Sequence, residues 1–254
     1  DIILNLLNLD LEESINYIYR NNDGQIITPL FLATKHGLTD IVHKLLDLDA
    51  NPLVINHDGY SVLIEAIKER NDMSVIDRLL NLDLNINHQT NSGFTSLIWA
   101  CKNTMKDVAM KLLNMGCLAS HVTNTCYTAL MYACKNHSFN NSMIDVINKL
   151  LTIDCNSAQI NDNGLTALLY ALYFVQEEDI ILKILDLGGC PEQIDSDGSY
   201  TTLILACYHE MPNVAMKLLD LCSDINYINH IFYSLLVLKV FIAVLETMIQ
   251  SRRV

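Results

Sequence analysis

Apolar side chains recur along this chain in a two-part pattern. A hexad Thr-x-Leu-x-x-Ala begins at Thr28, Thr95, Thr128, Thr166 and Thr201, and Ser61 leads a variant of it. Successive starts lie 33, 34, 33, 38 and 35 residues apart. A second apolar anchor, a Leu-Leu pair, follows 17 residues after the threonine at Leu45-Leu46, Leu112-Leu113 and Leu218-Leu219, and Leu79-Leu80 comes 18 after Ser61. Between hexad and anchor, Ile41, Val42, Leu45 and Leu46 fall at helical spacing, as do Val108, Ala109, Leu112 and Leu113. A short helix with one apolar stripe is unstable alone and must pack on a neighbour. The fixed period therefore predicts a stacked repeat array, stabilised by neighbour contacts rather than by one central core.

The punctuation between the apolar clusters agrees. The hexad threonine or serine can accept from free N–H groups at the start of the first helix, and Pro29 stands at an early helical position. His36-Gly37 supplies a turn between the two helices of the first copy. After the second helix, a polar stretch ends in Asp58-Gly59, Ser92-Gly93, Asn163-Gly164 or Asp197-Gly198, tight-turn dipeptides in which glycine takes positive φ. Each unit reads as hairpin, helix, short turn, helix.

These residues resemble the ankyrin repeat, which joins a turn glycine, the hexad and a Leu-Leu pair in the same register. The likeness covers about 23 to 230, in six copies, and implies an all-α repeat solenoid whose units each carry a short β-hairpin. Where the family carries a histidine after the hexad leucine, this chain has Phe31, Ile64, Ile98, Met131, Leu169 and Ile204, so packing is expected to replace that histidine's inter-repeat hydrogen bonds. The Leu-Ile-x-Ala-Cys wording and the asparagine-rich turns are similar to those of ankyrin proteins from large DNA viruses and parasitic protists.

The copies are not uniform. His137 to Ser142 stretches the inter-helix turn of the fourth, whose turn glycine is replaced by Cys126; a local bend and tolerated surface drift both fit. Leu6-Leu7-Asn8-Leu9-Asp10 repeats the wording of Leu79 to Asp83, so residues 1–22 read as a partial repeat entered inside its second helix. At the other end Tyr233-Ser234-Leu235-Leu236 keeps register, but Lys239 takes the alanine position and Val240 to Ile249 runs on as one apolar stretch. Residues 231–254 thus read as a degenerate repeat or capping helix. As a membrane span, Ile231 to Gln250 is interrupted by Lys239 and Glu246.

Composition narrows the chemistry. Of 254 residues, 51% are hydrophobic and 18% charged, enough apolar material to bury and no signature of disorder. The formal net charge of -13 disfavours a nucleic-acid surface, which needs a basic face. The eight cysteines lose the look of a framework once placed in the repeat. Cys101, Cys134 and Cys207 follow the hexad alanine, and Cys117, Cys155 and Cys190 occupy the position of Ala50. They read as small buried hydrophobes in a reduced, intracellular setting, cytoplasm or nucleus, including that of a host cell. No pair is spaced as CxxC, and no HExxH, Gly-x-Ser-x-Gly or phosphate loop appears, so neither metal, cofactor nor enzymatic activity is expected.

The resemblance implies binding of a protein partner through hairpin tips and the exposed face of the first helices. The residue before the hexad is Ile27, Tyr60, Phe94, Tyr127, Leu165, Tyr200 and Tyr233, a row that either meets a partner or packs on the adjacent hairpin. Seven residues past the hexad start stand Lys35, Lys68, Lys102 and Lys135, then Tyr173 and Tyr208. This is either a cationic stripe turning aromatic or a solvated helix end in which lysine offsets the dipole. Trp99, Tyr132 and Tyr170, at the variable hexad position, extend that surface or, by preference, lie in the core. The partner-binding candidates are Tyr60, Lys68, Phe94, Lys102, Tyr127, Lys135, Tyr173, Tyr200 and Tyr208. Joint charge reversal at Lys68, Lys102 and Lys135 is expected to weaken capture without lowering the melting temperature. The functional expectation is an interaction scaffold. Its alternatives are an adaptor recruiting clients to a ubiquitin ligase or similar machine, and a virion assembly component.

Overall fold

The computed structural model describes residues 15–20, 26–137, 143–194 and 201–221. The chain divides into two compact units, Asp1–Asn124 and Thr125–Val254. In the first, strands β1 (Tyr19–Arg20) and β2 (Ile26–Ile27) precede helices α1 (Pro29–Lys35), α2 (Thr39–Asp47), α3 (Val62–Lys68), α4 (Met73–Leu80), α5 (Ser96–Lys102) and α6 (Lys106–Asn114). The second holds α7 (Ala129–Lys135), α8 (Ile144–Leu150), α9 (Ala167–Tyr170) with a π-helical turn at Ala171–Val175, α10 (Glu178–Asp186), α11 (Thr202–Tyr208) and α12 (Pro212–Leu221). The architecture is an all-α repeat solenoid in which first helices pack on first helices (α1, α3 and α5; α7 and α9, with α11 against the π-helical turn) and on their own second helices.

Each first helix starts as its sequence predicts. The hydroxyl oxygens of Thr28, Ser61, Thr95, Thr128, Thr166 and Thr201 accept from the N–H groups of Phe31, Ile64, Ile98, Met131, Leu169 and Ile204, at 3.1 to 3.3 Å. Such a cap contributes about 1 kcal/mol. The hexad leucines and alanines are buried throughout, with the residues after the alanine, Thr34, Ile67, Cys101, Cys134, Leu172 and Cys207. Alanine is required at the first-helix contact because a larger side chain would hold the neighbouring helix away.

The turns between helices share one geometry. The N–H groups of Leu38, Asn71, Met105 and Met211 donate to the hexad alanine carbonyls of Ala33, Ala66, Ala100 and Ala206, each at 2.9 Å. That closure needs a left-handed residue just before the donor. Gly37 supplies it at φ 65°, but Arg70, Thr104 and Glu210 take φ 57°, 57° and 56° in the other copies. Each of these side chains costs about 1 kcal/mol relative to the right-handed region. Only the glycine had signalled the turn in the sequence.

The fifth repeat departs from this plan. Ten residues separate Thr166 from the left-handed Gln176, against nine from Thr28 to Gly37 and from Ser61 to Arg70. The extra residue is absorbed as the π-helical turn Ala171–Val175.

The hairpins are thinner than expected. Tyr19 pairs with Ile27 and Arg20 with Ile26, antiparallel, so the first hairpin begins on the N-terminal side of position 23. Elsewhere the described tips are held by isolated bridges, Ile55 to Ser61, Ile160 to Thr166 and Ile194 to Thr201. Neighbouring tips are joined through their main chains. Asn91 N–H donates to Asp58 O at 3.0 Å, Asn124 N–H to Ser92 O at 3.0 Å and, in the second unit, Asp162 N–H to Thr125 O at 3.3 Å. A Cβ on Gly59 would stand 2.6 Å from Asn91 N, and one on Gly93 2.9 Å from Thr123 Cα. At the equivalent position Cys126 adopts φ 58°, and there the tip-to-tip bond is the longest of the three.

Packing stands where the family carries its histidine, and inter-repeat hydrogen bonds are made by side chains at other positions. Ile64 and Ile98 do pack in the core. Asparagines elsewhere supply the polar ties: Asn71 Nδ2 donates to Thr34 O at 3.0 Å, and Asn103 Nδ2 to Ile67 O at 3.0 Å and Lys68 O at 2.9 Å. Asn91 and Asn124 donate to His57 O and Asn91 O across consecutive tips. On the second helices Arg78 pairs with Asp47 at 2.7 Å and Lys111 with Asp77 at 2.6 Å, and Lys217 pairs with Asp186 in the second unit. These exposed pairs contribute at most about 1 kcal/mol each.

The partial repeat over 1–14, the stretched loop at 138–142, the Asp197-Gly198 turn and the apolar run Ile231 to Gln250 lie outside the described residues. The seven described cysteines are free thiols; Cys101, Cys117, Cys134, Cys155 and Cys207 are buried, and Cys126 and Cys190 partly so. Burial pushes the thiols of Cys117, Cys155 and Cys207 up to about 11.

Candidate partner-binding surface

Each tip is shaped by a side chain four residues before its last residue. Asn56 Oδ1 accepts from Tyr60 N–H at 2.8 Å, Thr90 Oγ1 from Phe94 N–H at 3.1 Å and Asn161 Oδ1 from Leu165 N–H at 2.9 Å. The hexad cap then turns the chain into the first helix, whose last residue in α1, α3, α5 and α7 is lysine. Two turns of helix carry that lysine back over the ring of its own tip.

The distances join two rows that the sequence left separate. In the first unit Lys68 Nζ lies 5.0 Å from the Tyr60 ring centre, and Lys102 Nζ lies 4.7 Å from Phe94 and 4.4 Å from Trp99. In the second, Lys135 Nζ lies 5.5 Å from Tyr127 and 5.6 Å from Tyr170. All are within the range of cation–π attraction. The rings also stack: Phe94 on Trp99 at 4.8 Å and 30°, Tyr127 on Tyr132 at 4.9 Å and 24°.

Packing decides how much of each candidate is presented. Tyr60 and Phe94 are half-buried. Tyr127 is only 9% exposed. Its hydroxyl pairs with that of Tyr170 at 3.1 Å and accepts from Asn163 Nδ2 at 3.1 Å, while Asn161 Nδ2 donates to Tyr170 at 3.3 Å. Tyr127 is therefore largely covered, a ring beneath Lys135 that presents little area of its own. Tyr132 and Tyr170 are buried as expected, and burial pushes the Tyr132 phenol up to about 12. Trp99 stays half-exposed, yet its Nε1–H is enclosed without a hydrogen-bond acceptor.

Lys68 also meets two carboxylates of its own helix and its cap. Its Nζ stands 3.3 Å from Glu65 and 2.5 Å from Glu69, and the Glu65 side chain is 3% exposed. Burial raises the Glu65 carboxyl above its ordinary value, against the pull of Lys68. Reversing Lys68 would strand a buried carboxylate, so this change is expected to lower the melting temperature as well. Sequence spacing had given no sign that Glu65, at the position Trp99 and Tyr132 hold in later copies, points inward.

The π-helical turn corrects the last rows. Counting from the cap puts Tyr173 in the lysine register, but counting back from the left-handed residue puts Phe174 there. Phe174 is 37% exposed and stacks on Tyr170 at 6.3 Å, while Tyr173 is half-buried. Tyr208 is 58% exposed and meets the His209 ring edge-on at 5.1 Å. Lys35 is exposed, and Tyr200 lies outside the described residues.

Among the described residues no group of histidine, cysteine and carboxylate side chains is placed to hold a metal ion. Among them, too, no helix is long and apolar enough to cross a membrane. What the surface offers is ammonium groups on ring faces together with phenols and part-exposed aromatic edges, the aromatics being enriched in protein interfaces.

Two family models match the chain. One described as ankyrin repeats in three copies covers residues 63–158, and one described as the ankyrin repeat covers 27–57. The search of curated proteins finds no match. With the capped hexads, the left-handed turn between paired helices and the tip-to-tip bonds, these matches establish that the chain belongs to the ankyrin-repeat proteins.

Proposed function

We propose that this chain is a non-enzymatic scaffold that holds a protein partner against its tips and the exposed ends of its first helices. Ankyrin repeats serve protein–protein interaction in general. The observation that carries the reading here is the seating of Lys68, Lys102 and Lys135 over the aromatic rings of their own copies. An ammonium held on a ring loses less side-chain freedom when a partner arrives, so less of the binding energy is spent on ordering it. The exposed rings Phe174 and Tyr208 add apolar area in the second unit. The test is capture of partners from the native cell by the parent chain and by a variant carrying Lys102→Glu, Lys135→Glu, Phe174→Ala and Tyr208→Ala. Lys68 is left intact because of Glu65. Capture is expected to fall at least about tenfold while the cooperative melting transition is retained. Equal capture by the two would exclude this face.

A further inference from the structure

We infer that a cleft between the fourth and fifth repeats, within the second unit, takes a basic-apolar segment of a protein partner. An apolar side chain enters the cleft and a neighbouring Lys or Arg meets Asp154. The cleft has a volume of about 250 Å³. Ile153, just past α8, and Leu187, the cap of α10, line it and are 36% and 45% exposed. Cys155, Ser157 and Ala158 line it with them. None of these residues belongs to the tips or first-helix ends of the scaffold reading, so the cleft is a second surface that stands apart from it.

A local change in the repeat makes this cleft. The place of Ser157 in its copy holds Pro52, Ile86, Ala119 and Pro191 in the others. Serine fills less space than proline or isoleucine, and its hydroxyl donates to Leu187 O at 2.6 Å. That bond satisfies a carbonyl at the end of α10 and ties the two repeats together beside the cleft. The two residues after Leu187 are glycines, with no side chain to cover it, and a Cβ on Gly189 would stand 2.8 Å from Ile184 O. The apolar walls are thus set before a partner arrives, and their area is still in water. The volume falls below the roughly 300–1,000 Å³ of small-molecule and cofactor sites, so one leucine, methionine or phenylalanine side chain suits it better than a cofactor.

Charge decides what accompanies that side chain. Lys149, Lys183 and Lys217 stand 34 residues apart on successive second helices. The residues between them, 150–182 and 184–216, hold ten Asp and Glu and no Lys or Arg. Lys183 Nζ donates to Asn148 Oδ1 at 3.2 Å, and Lys217 pairs with Asp186. Asp154, on the cleft wall, accepts from Asn156 N–H at 3.4 Å, and among the described residues no cation pairs with it. A Lys or Arg arriving beside the apolar side chain meets this carboxylate, and the acidic surroundings draw it in. The same charge opposes an acidic segment or a second copy of this chain.

The experiment is fluorescence anisotropy of two pools of labelled peptides on the full chain, with sedimentation velocity of the chain alone. Both pools have a fixed central leucine, surrounded by Lys and Arg in one and by Asp and Glu in the other. The basic pool is expected to bind, and to weaken about tenfold on Leu187→Ser or Ile153→Ser and about threefold on Asp154→Asn. Added salt should weaken it too. Leu82→Ser, at the place of Ile153 in the first unit, should bind it as tightly as the parent. Asp154→Asn, an exposed change, tests the same site should either apolar variant melt early. Equal binding of the acidic pool, equal weakening by Leu82→Ser and Leu187→Ser, or no binding of the basic pool would overturn the inference. Binding lost on joint Phe174→Ala and Tyr208→Ala, but kept on Leu187→Ser, would overturn it and assign the peptides to the scaffold face. Self-association that disappears on Leu187→Ser would give the cleft to a second copy instead. The scaffold reading keeps its own test, capture through the other residues.

Discussion

Lys102 Nζ stands 4.4 Å from the centre of the Trp99 ring, one helical turn earlier on the same helix, while Phe94 from the hairpin tip stacks under that ring at 4.8 Å. Tip and helix are therefore one surface at this repeat. Its rings are partly spent on packing and partly left to be met from outside.

The first prediction concerns that contact. A double-mutant cycle with Lys102→Gln and Trp99→Leu, read by urea unfolding of the full chain, should give a coupling of about 0.5–1 kcal/mol. A coupling of zero would mean that the lysine is placed by helix geometry alone and gains nothing from the ring.

A second prediction follows from Glu65. Its carboxyl is raised above the ordinary 4.5, chiefly by burial. The folded chain thus holds this proton more tightly than the unfolded one. Its contribution to stability is fully present below the ordinary value and is lost as pH rises through the raised one. Glu65→Gln keeps Glu69 beside Lys68 and removes that loss. The variant should be at least as stable as the parent at neutral pH, with a shallower decline in stability as pH rises from 4.5. A drop of about 3 kcal/mol or more at neutral pH would show instead that the buried Glu65–Lys68 pair is strongly stabilising.

Backbone strain gives a third. Thr104 and Cys126 hold left-handed conformations with a side chain attached, so Thr104→Gly and Cys126→Gly should each raise stability by about 0.5–1 kcal/mol. Gly59→Ala should lower it by about 1–3 kcal/mol, because the new methyl would press on Asn91 N and Oδ1. Thermal melts of the three single variants check the signs. Stabilisation by Gly59→Ala would refute the close approach of the tips.

Much of the architecture was legible in the order of residues, for reasons local to each copy. Threonine three residues before a free N–H predicts a cap, and six of six described hexads form one. Small residues at the hexad alanine predict close helix contact, and cysteines that replace one another with threonine and isoleucine predict burial. Less could be read where the decisive partner is distant or the backbone overrides the side chain. Arg70, Thr104 and Glu210 take a glycine's conformation because the closure onto the hexad alanine carbonyl demands it. Asn71 and Asn103 bind main-chain carbonyls 37 and 36 residues away, partners that no local pattern names.

The candidate surface divides the same way. Period and spacing alone determined the solenoid, the capped helices and the rows to which Lys68, Lys102, Lys135 and the rings belong, because a repeat places equivalent residues in equivalent positions. Only the tertiary structure decided which members of a row present themselves. Tyr127 is covered by Tyr132, Tyr170 and Lys135, and Lys68 is tied to the inward-facing Glu65. Phe174 takes the place expected of Tyr173 because one added residue shifts the helix into a π turn. Periodicity describes each copy by itself, whereas exposure and charge compensation are set by what the neighbouring element brings against it.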